Sequence, residues 1–281
     1  MALRSASDPG DTPFDGRLLS PVIGLEIRGL RLDGPLTKAV VAGLKAAFLR
    51  HHVLVIRGQD LTPEQQIAFA EAMGEPDIYP FVAGIDGYPV ITPVIKEPEE
   101  TQNFGGVWHT DTAYLKCPPA ATMLLAREIP PTGGDTLFAS QVAAYDALSD
   151  GMKALLAPLR GLNTSAKANQ IRTNVSEKRK CESLEAEHPV VRTHPETGAK
   201  ALYVNTGHTV KFDGMTEAES APLLEFLFAH QVQPDFTCRV RWEQGTLVIW
   251  DNRASQHFPL NDYQGYRREM HRITLKGDAP F

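Results

Sequence analysis

The segment GGVWHTDTAY, residues 105–114, sets a histidine and an aspartate two positions apart, His109 and Asp111. On an extended backbone, residues i and i+2 point to the same side, so this pair can offer one nitrogen and one oxygen to a single ion. Most His-x-Asp triplets are solvent-exposed or structural, so the pair needs a third donor before a metal is worth arguing. A candidate lies far downstream in WDNRASQHFPLNDY, where His257 follows the apolar run TLVIW through a polar turn. Two imidazoles and one carboxylate with open positions make the facial triad of non-haem iron chemistry. A lone histidine past a strand is more commonly an amphipathic surface residue, so His257 decides nothing alone.

A third pattern adds weight. In YRREMHRITL, Arg268, Met270 and Arg272 share strand parity, so both guanidinium groups project from one face. The run MHRITL reads as buried, and a buried guanidinium needs an anionic partner. Arginine clamps a carboxylate through two parallel hydrogen bonds. Two arginines beside a metal could therefore hold two acids. The competing reading is a pair of structural salt bridges to Asp251 or Asp262.

These side chains need elements to position them. VLVIR reads as a short buried strand after the helical run LTKAVVAGLKAAFLRHH. TPEQQIAFAEAMG carries a full set of helix signals: Thr62 as N-cap, Pro63 in the first turn, Gln65 completing a capping box, Gly74 at the end. TEAESAPLLEFLFAHQ has the same box at Thr216 and Glu219, and SQVAAYDALS is a short helix capped by Ser140. PAATMLLAR reads as a strand, VIGLEIRGLRL as a strand pair or meander, and DFTCRVRW, TLVIWD and REMHRITL as three strands at hairpin spacing. Residues 1–17, rich in Asp, Pro, Ser and Gly, should be a flexible N-terminus. Residues 158–187 lack a clear period and are long for a connection, which suggests a functional lid. With no repeat and no composition break, residues 18–281 are expected to form one β-rich domain with helices packed outside.

The composition is that of a globular protein: 281 residues, 42% hydrophobic, 22% charged. A net charge of −6 argues against general nucleic-acid binding, which needs a basic face. Cys117, Cys181 and Cys238 are too few and too scattered for a disulfide framework. Reduced thiols in a cytoplasmic protein are expected. The N-terminus has no apolar core of a signal peptide, and no run approaches the roughly 20 apolar residues of a membrane span.

Long blocks of the chain resemble the taurine dioxygenase (TauD/TfdA) family of Fe(II) and 2-oxoglutarate-dependent dioxygenases. The blocks are WHTD, PPAATMLLAREIPPTGGDTLFAS, AAYDALS, HPVVRTHPETGAKALYVN, AESAPLLEFLFAH and WDNRASQH. The resemblance implies a double-stranded β-helix, a jelly-roll barrel with flanking helices, in a β-rich α+β fold. It implies His109, Asp111 and His257 as ligands of Fe(II), and Thr136 with Arg268 as the anchor of the distal carboxylate of 2-oxoglutarate. Arg272 matches the arginine that meets the acidic group of the substrate. Three protein ligands on a six-coordinate metal leave room for 2-oxoglutarate and O2, and the expected reaction is hydroxylation of a small organic acid with release of succinate and CO2. A product hydroxylated on a carbon bearing nitrogen, oxygen or sulfur fragments. A homo-oligomer, dimer or tetramer, is expected, with no nucleic-acid or membrane partner.

The match breaks at the substrate. Tyr79, Val82, Gly105 and His208 stand where taurine-specific members carry histidine, tyrosine, asparagine and phenylalanine. Loss of polar contacts from a small polar site weakens the case for taurine. Gly105 should leave volume beside the metal, and Tyr79, Val82 and Tyr114 could line a larger, more apolar pocket. His208 could bond to the substrate or pack beside the lid. An anion anchor with an apolar body suits carboxylates, sulfonates, sulfate esters or aryloxyalkanoates. The alternatives are taurine dioxygenase proper, a zinc hydrolase on the same three ligands, and a catalytically silent binding protein.

Overall fold

The computed structural model describes residues 14–167 and 183–281. In chain order the strands and helices begin with β1 (Asp15–Leu18), β2 (Leu25–Arg28), α1 (Lys38–His51), β3 (Val53–Ile56), α2 (Pro63–Met73), β4 (Pro76–Asp77) and β5 (Thr92–Lys96). Next come β6 (Ala121–Glu128), β7 (Thr136–Ser140), α3 (Gln141–Asp146), α4 (Asp150–Leu156), β8 (Arg160–Thr164) and β9 (Glu185–Pro189). The remainder is β10 (Val191–Thr193), β11 (Lys200–Leu202), β12 (Thr209–Phe212), α5 (Glu217–His230), β13 (Thr237–Val240), β14 (Leu247–Asp251), β15 (Ser255–Pro259) and β16 (Arg268–Leu275).

A large sheet runs β1-β2-β3-β14-β6-β16-β4, with β5 also on β16, and a small sheet runs β13-β7-β15. Strand parity sorts the large sheet into two apolar faces. Leu54, Ile56, Met123, Leu125, Leu247 and Ile249 join one cluster with Leu44 and Phe48 of α1 and Phe69 of α2. Val53, Val55, Val248 and Trp250 join another with Phe138, Cys238 and Val240 of the small sheet. VLVI must therefore be apolar at every position, because helices cover one face and a second sheet the other. A third cluster, around Leu202, Phe212, Leu224 and Leu227, packs α5 against β11 and β12.

The helix caps fall where the sequence places them. Thr62 and Gln65 form a reciprocal box at α2, and Thr216 and Glu219 do so at α5. Among the described residues no helix is long and apolar enough to cross a membrane.

Three expectations need correction. Residues 15–17 are not free: they belong to β1, an edge strand pairing antiparallel with β2, while residues 1–13 lie outside the described ones. VIGLEIRGLRL supplies one strand, not two. Gly24 (φ 90°) and Gly29 (φ 71°) bracket β2 in the left-handed region, and β2 pairs with β1 and, in parallel, with β3. β13, β14 and β16 are not hairpin partners. β13 and β15 flank β7, whereas β14 and β16 flank β6, so successive strands alternate between sheets. The expected lid begins and ends in strands β8 and β9, paired antiparallel, and its residues 168–182 lie outside the described ones. The polar look of β8 misleads because its buried Asn163 accepts from Thr209 Oγ1 at 2.7 Å and donates to Gly161 O at 3.1 Å.

Candidate metal and acid-binding site

His109 and His257, distant in sequence, form an isolated antiparallel bridge with reciprocal backbone hydrogen bonds of 3.1 and 2.9 Å. Directly opposed residues put their side chains on the same side, so the two imidazoles meet with ring centroids 4.1 Å apart. The chain turns immediately after Asp111, with Thr112 at a φ of 42°. Such left-handed non-glycine residues concentrate at functional sites. Ligand atoms of His109, Asp111 and His257 all lie within 4.8 Å of one another. Asp111 Oδ1 is 3.7 Å from His109 Nε2 and 4.0 Å from His257 Nε2.

The protonation pattern fits a divalent metal. His109 Nδ1 lies 2.7 Å from Val107 O. A carbonyl only accepts, so Nδ1 carries the proton and Nε2 keeps its lone pair. Burial, then His109, pushes the His257 imidazole down to about 3, so that ring is neutral at neutral pH. Burial alone would raise the Asp111 carboxyl, but His257, His109, Arg272 and the Thr122 hydroxyl outweigh it and hold it below its ordinary value. Two neutral nitrogens and one anionic oxygen converge, a donor set suited to Fe(II) and to other imidazole-binding divalent ions.

His109 is packed against two glycines. A Cβ on Gly105, which has a φ of 78°, would fall 2.7 Å from His109 Cε1, and one on Gly207 would fall 2.9 Å from His109 Cβ. The open volume expected at Gly105 is thus taken by the imidazole: the glycine is there so that the backbone can approach the ring.

One cavity is lined by His109, Asp111, His257, Thr136, Arg268 and Arg272. Both arginines are buried, at 7% and 5% exposure, and Nε and Nη2 of each lack a hydrogen-bond partner among the described residues. The salt-bridge alternative does not hold. Asp251 is engaged by Arg253 and His194, and Asp262 Oδ1 accepts from Gly134 N. Burial lowers the Arg268 guanidinium from its ordinary value, against the pull of Tyr263 and Asp135. Unpaired buried cations are costly, and here both side chains line a cavity, the arrangement an anionic ligand would relieve.

Each arginine has its own aromatic support. The Arg268 guanidinium lies 5.5 Å from the Trp242 ring centre, and Trp242 Nε1 donates to Thr136 Oγ1 at 3.0 Å. With its oxygen accepting from the indole, Thr136 can still donate its own proton into the cavity. Arg272 lies 3.9 Å over Tyr79 and 5.4 Å from Phe104, which leaves its in-plane N–H edge for an anion. Lys96, the cross-strand neighbour of Arg268, is also buried, with its ammonium 4.6 Å from the Tyr263 ring centre and no hydrogen-bond partner among the described residues.

A second cavity adjoins the first and shares Phe104, His109 and Asp111 with it, adding Tyr79, Gly105, Tyr114 and His208. His208 meets Tyr114 edge-on at 5.0 Å and His109 at 6.1 Å, so it both packs and faces the triad. Phe81 continues this wall, edge-on to Tyr79 at 5.2 Å and to Tyr114 at 5.9 Å. Val82 lines neither cavity; it is half-buried in a bend beyond the turn at 80–81. Trp242, Phe104, Phe81, Lys96 and Thr122 escaped sequence reasoning. Each acts through a contact between distant segments, and no local spacing announces it.

Comparison with known proteins agrees with this geometry. Residues 15–274 match the family described as "Taurine catabolism dioxygenase TauD, TfdA family". The chain is 35% identical to an alpha-ketoglutarate-dependent sulfate ester dioxygenase of Pseudomonas putida, over 98% of this chain and 93% of that protein. It is 35% identical to an alkylsulfatase of Acinetobacter baylyi, over 94% of this chain and 85% of that one. The crystal structure of a taurine dioxygenase from Burkholderia xenovorans superposes with a TM-score of 0.82 at 36% identity, covering 95% of this chain and 90% of that one. With this match spanning nearly its whole length, the chain belongs to the TauD/TfdA family and is a 2-oxoglutarate-dependent dioxygenase, an oxidoreductase.

Proposed function

We propose that this enzyme oxidises organic sulfate esters with an apolar alkyl body, using Fe(II) held by His109, Asp111 and His257. The observation that carries this reading is the Arg272 guanidinium, buried, unpaired at Nε and Nη2 among the described residues, and held over Tyr79 within reach of the triad. A planar cation edge takes an oxyanion, and the aromatic wall of Tyr79, Phe81, Phe104 and Tyr114 favours an apolar body behind it. The relatives named for sulfate esters and alkyl sulfates support the same choice. The alternation of strands between two sheets supports a double-stranded β-helix barrel around the site.

With Fe(II) bound, 2-oxoglutarate and O2 supply the oxidative decarboxylation that gives succinate and CO2 and hydroxylates a C–H bond. The protein's part is placement. Three side-chain donors would occupy one face of the metal. Thr136 and Arg268 would fix the distal carboxylate of the cosubstrate, with Trp242 orienting the threonine. Arg272 would hold the sulfate so that a single carbon faces the metal, which converts a random encounter into a positioned one.

The test is an anaerobic complex with Fe(II) and 2-oxoglutarate, exposed to O2 with a panel of alkyl sulfates, sulfonates, carboxylates and aryloxy acids. Hydroxylation at the carbon bearing the ester oxygen should release inorganic sulfate and an aldehyde in step with succinate. Taurine proper, the second reading, would instead release sulfite. If taurine or an aryloxy acid supports faster succinate formation than every alkyl sulfate, the substrate assignment is wrong.

A further inference from the structure

We infer that Thr122 is a positioning residue of the metal site, the last link of a hydrogen-bond chain from Trp250 through Asn252 that presents a single oxygen of Asp111 to the metal. The inference rests on the reading of His109, Asp111 and His257 as ligands. Trp250 lies on β14 and Thr122 opposite it on β6, as register partners, with Asn252 just past the strand end. An indole N–H can only donate, and that of Trp250 reaches Asn252 Oδ1 at 3.1 Å. This orients the amide, so Asn252 Nδ2 faces Thr122 and donates to Oγ1 at 3.0 Å. The Thr122 oxygen being engaged, its one proton is directed to Asp111 Oδ2, at 2.6 Å. Every direction in the chain follows from a donor that cannot reverse. All three side chains are buried, at 2%, 1% and 0% exposure, so water does not compete.

The consequence concerns coordination number. A carboxylate free to turn can bind a metal through one oxygen or both. Here Oδ2 is taken by a short charge-assisted bond, and Oδ1 alone faces the two imidazoles. An aspartate binding through one oxygen leaves three positions on a six-coordinate ion, and a chelating one would leave two. Trp250 also packs on His257, ring centroids 4.8 Å apart, so one indole braces two of the three ligands.

The experiment titrates the metal-free protein with Co(II) in the absence of 2-oxoglutarate. Thr122→Val removes the hydroxyl at nearly constant shape. It should weaken Co(II) binding by about 10- to 100-fold and shift the visible absorption of the bound ion, because the aspartate is then free to chelate. Thr122→Ser keeps the hydroxyl and should restore both affinity and spectrum. Asn252→Ala should weaken binding alone yet add little to Thr122→Val, since it acts through the same hydroxyl. Wild-type affinity and spectrum in Thr122→Val, with binding lost in Asp111→Ala, would leave Thr122 a buried strand residue and overturn the inference. Wild-type binding in Asp111→Ala would instead overturn the ligand assignment on which it rests. Should Thr122→Val fail to fold, Thr122→Ser and Asn252→Ala carry the test, and unchanged binding in the latter overturns the inference.

Discussion

Asp111 is the one anion among three converging donors, and its burial makes it costly unless a cation is present. Asp111→Ala should therefore abolish both metal binding and succinate production, measured by metal titration and by product assay. The two arginines make separable predictions, because they lie over different aromatic rings. A hydrogen bond to a charged group is worth about 1.5–3 kcal/mol. Arg268→Ala should therefore raise the KM for 2-oxoglutarate about tenfold or more, while Mn(II) affinity stays near wild type. Arg272→Ala should spare 2-oxoglutarate binding and weaken the preferred substrate instead. Unchanged cosubstrate affinity in the first variant, or an unchanged best substrate in the second, would remove the role assigned to that side chain.

At the scale of elements, the decisive feature is the corner between β14 and β15, which delivers His257. Asp251 closes it: Arg253 Nε and Nη2 donate to its two oxygens at 2.9 and 2.8 Å, and His194 Nε2 lies 3.0 Å from Oδ2. Burial would raise this carboxyl, but Arg253 and His194 hold it well below the usual carboxylate range. A depressed pKa stabilises the fold fully above the unfolded value of about 3.9, and that share drains away as pH falls further. Breaking one partner of a buried pair costs about 3–5 kcal/mol. Asp251→Asn should lower the urea midpoint accordingly, and its gap from wild type should shrink below about pH 3.9. A gap that widens as pH falls would contradict the sign of this shift. The parity of β16 is equally consequential. Arg268, Met270 and Arg272 point between the sheets, while Ile273 and Leu275 pack toward the helices, so one strand serves both the site and the core.

For the molecule as a whole, the site lies between two sheets whose facing side chains are largely apolar. Two buried guanidinium groups with unsatisfied N–H donors in that space penalise the empty fold. Ligands that complete the site should stabilise it by linkage, about 2.7 kcal/mol for a ligand at a hundred times its Kd. Thermal unfolding with Mn(II) should show a rise in Tm on adding 2-oxoglutarate. Arg268→Ala, binding about tenfold more weakly, should lose about half of that rise at the same concentration. Equal rises in both proteins would place the cosubstrate elsewhere.

From the sequence alone, the helices with reciprocal caps, the buried strand VLVI, the three donor residues and the shared parity of the two arginines could all be read. These are local matters of spacing, capping and alternation, decided within a few residues. The triad's meaning came with longer blocks of family resemblance, since His109 and His257 are far apart in the chain. Which strands pair, and that β13, β14, β15 and β16 alternate between sheets, only the tertiary structure decided, because apolar runs of equal length do not name their partners. The same limit hid Thr122, Asn252, Trp242 and Phe104, and it made Gly105 look like empty space. Their roles are contacts made across strands, and a contact of that kind exists only once packing has chosen which segments lie side by side.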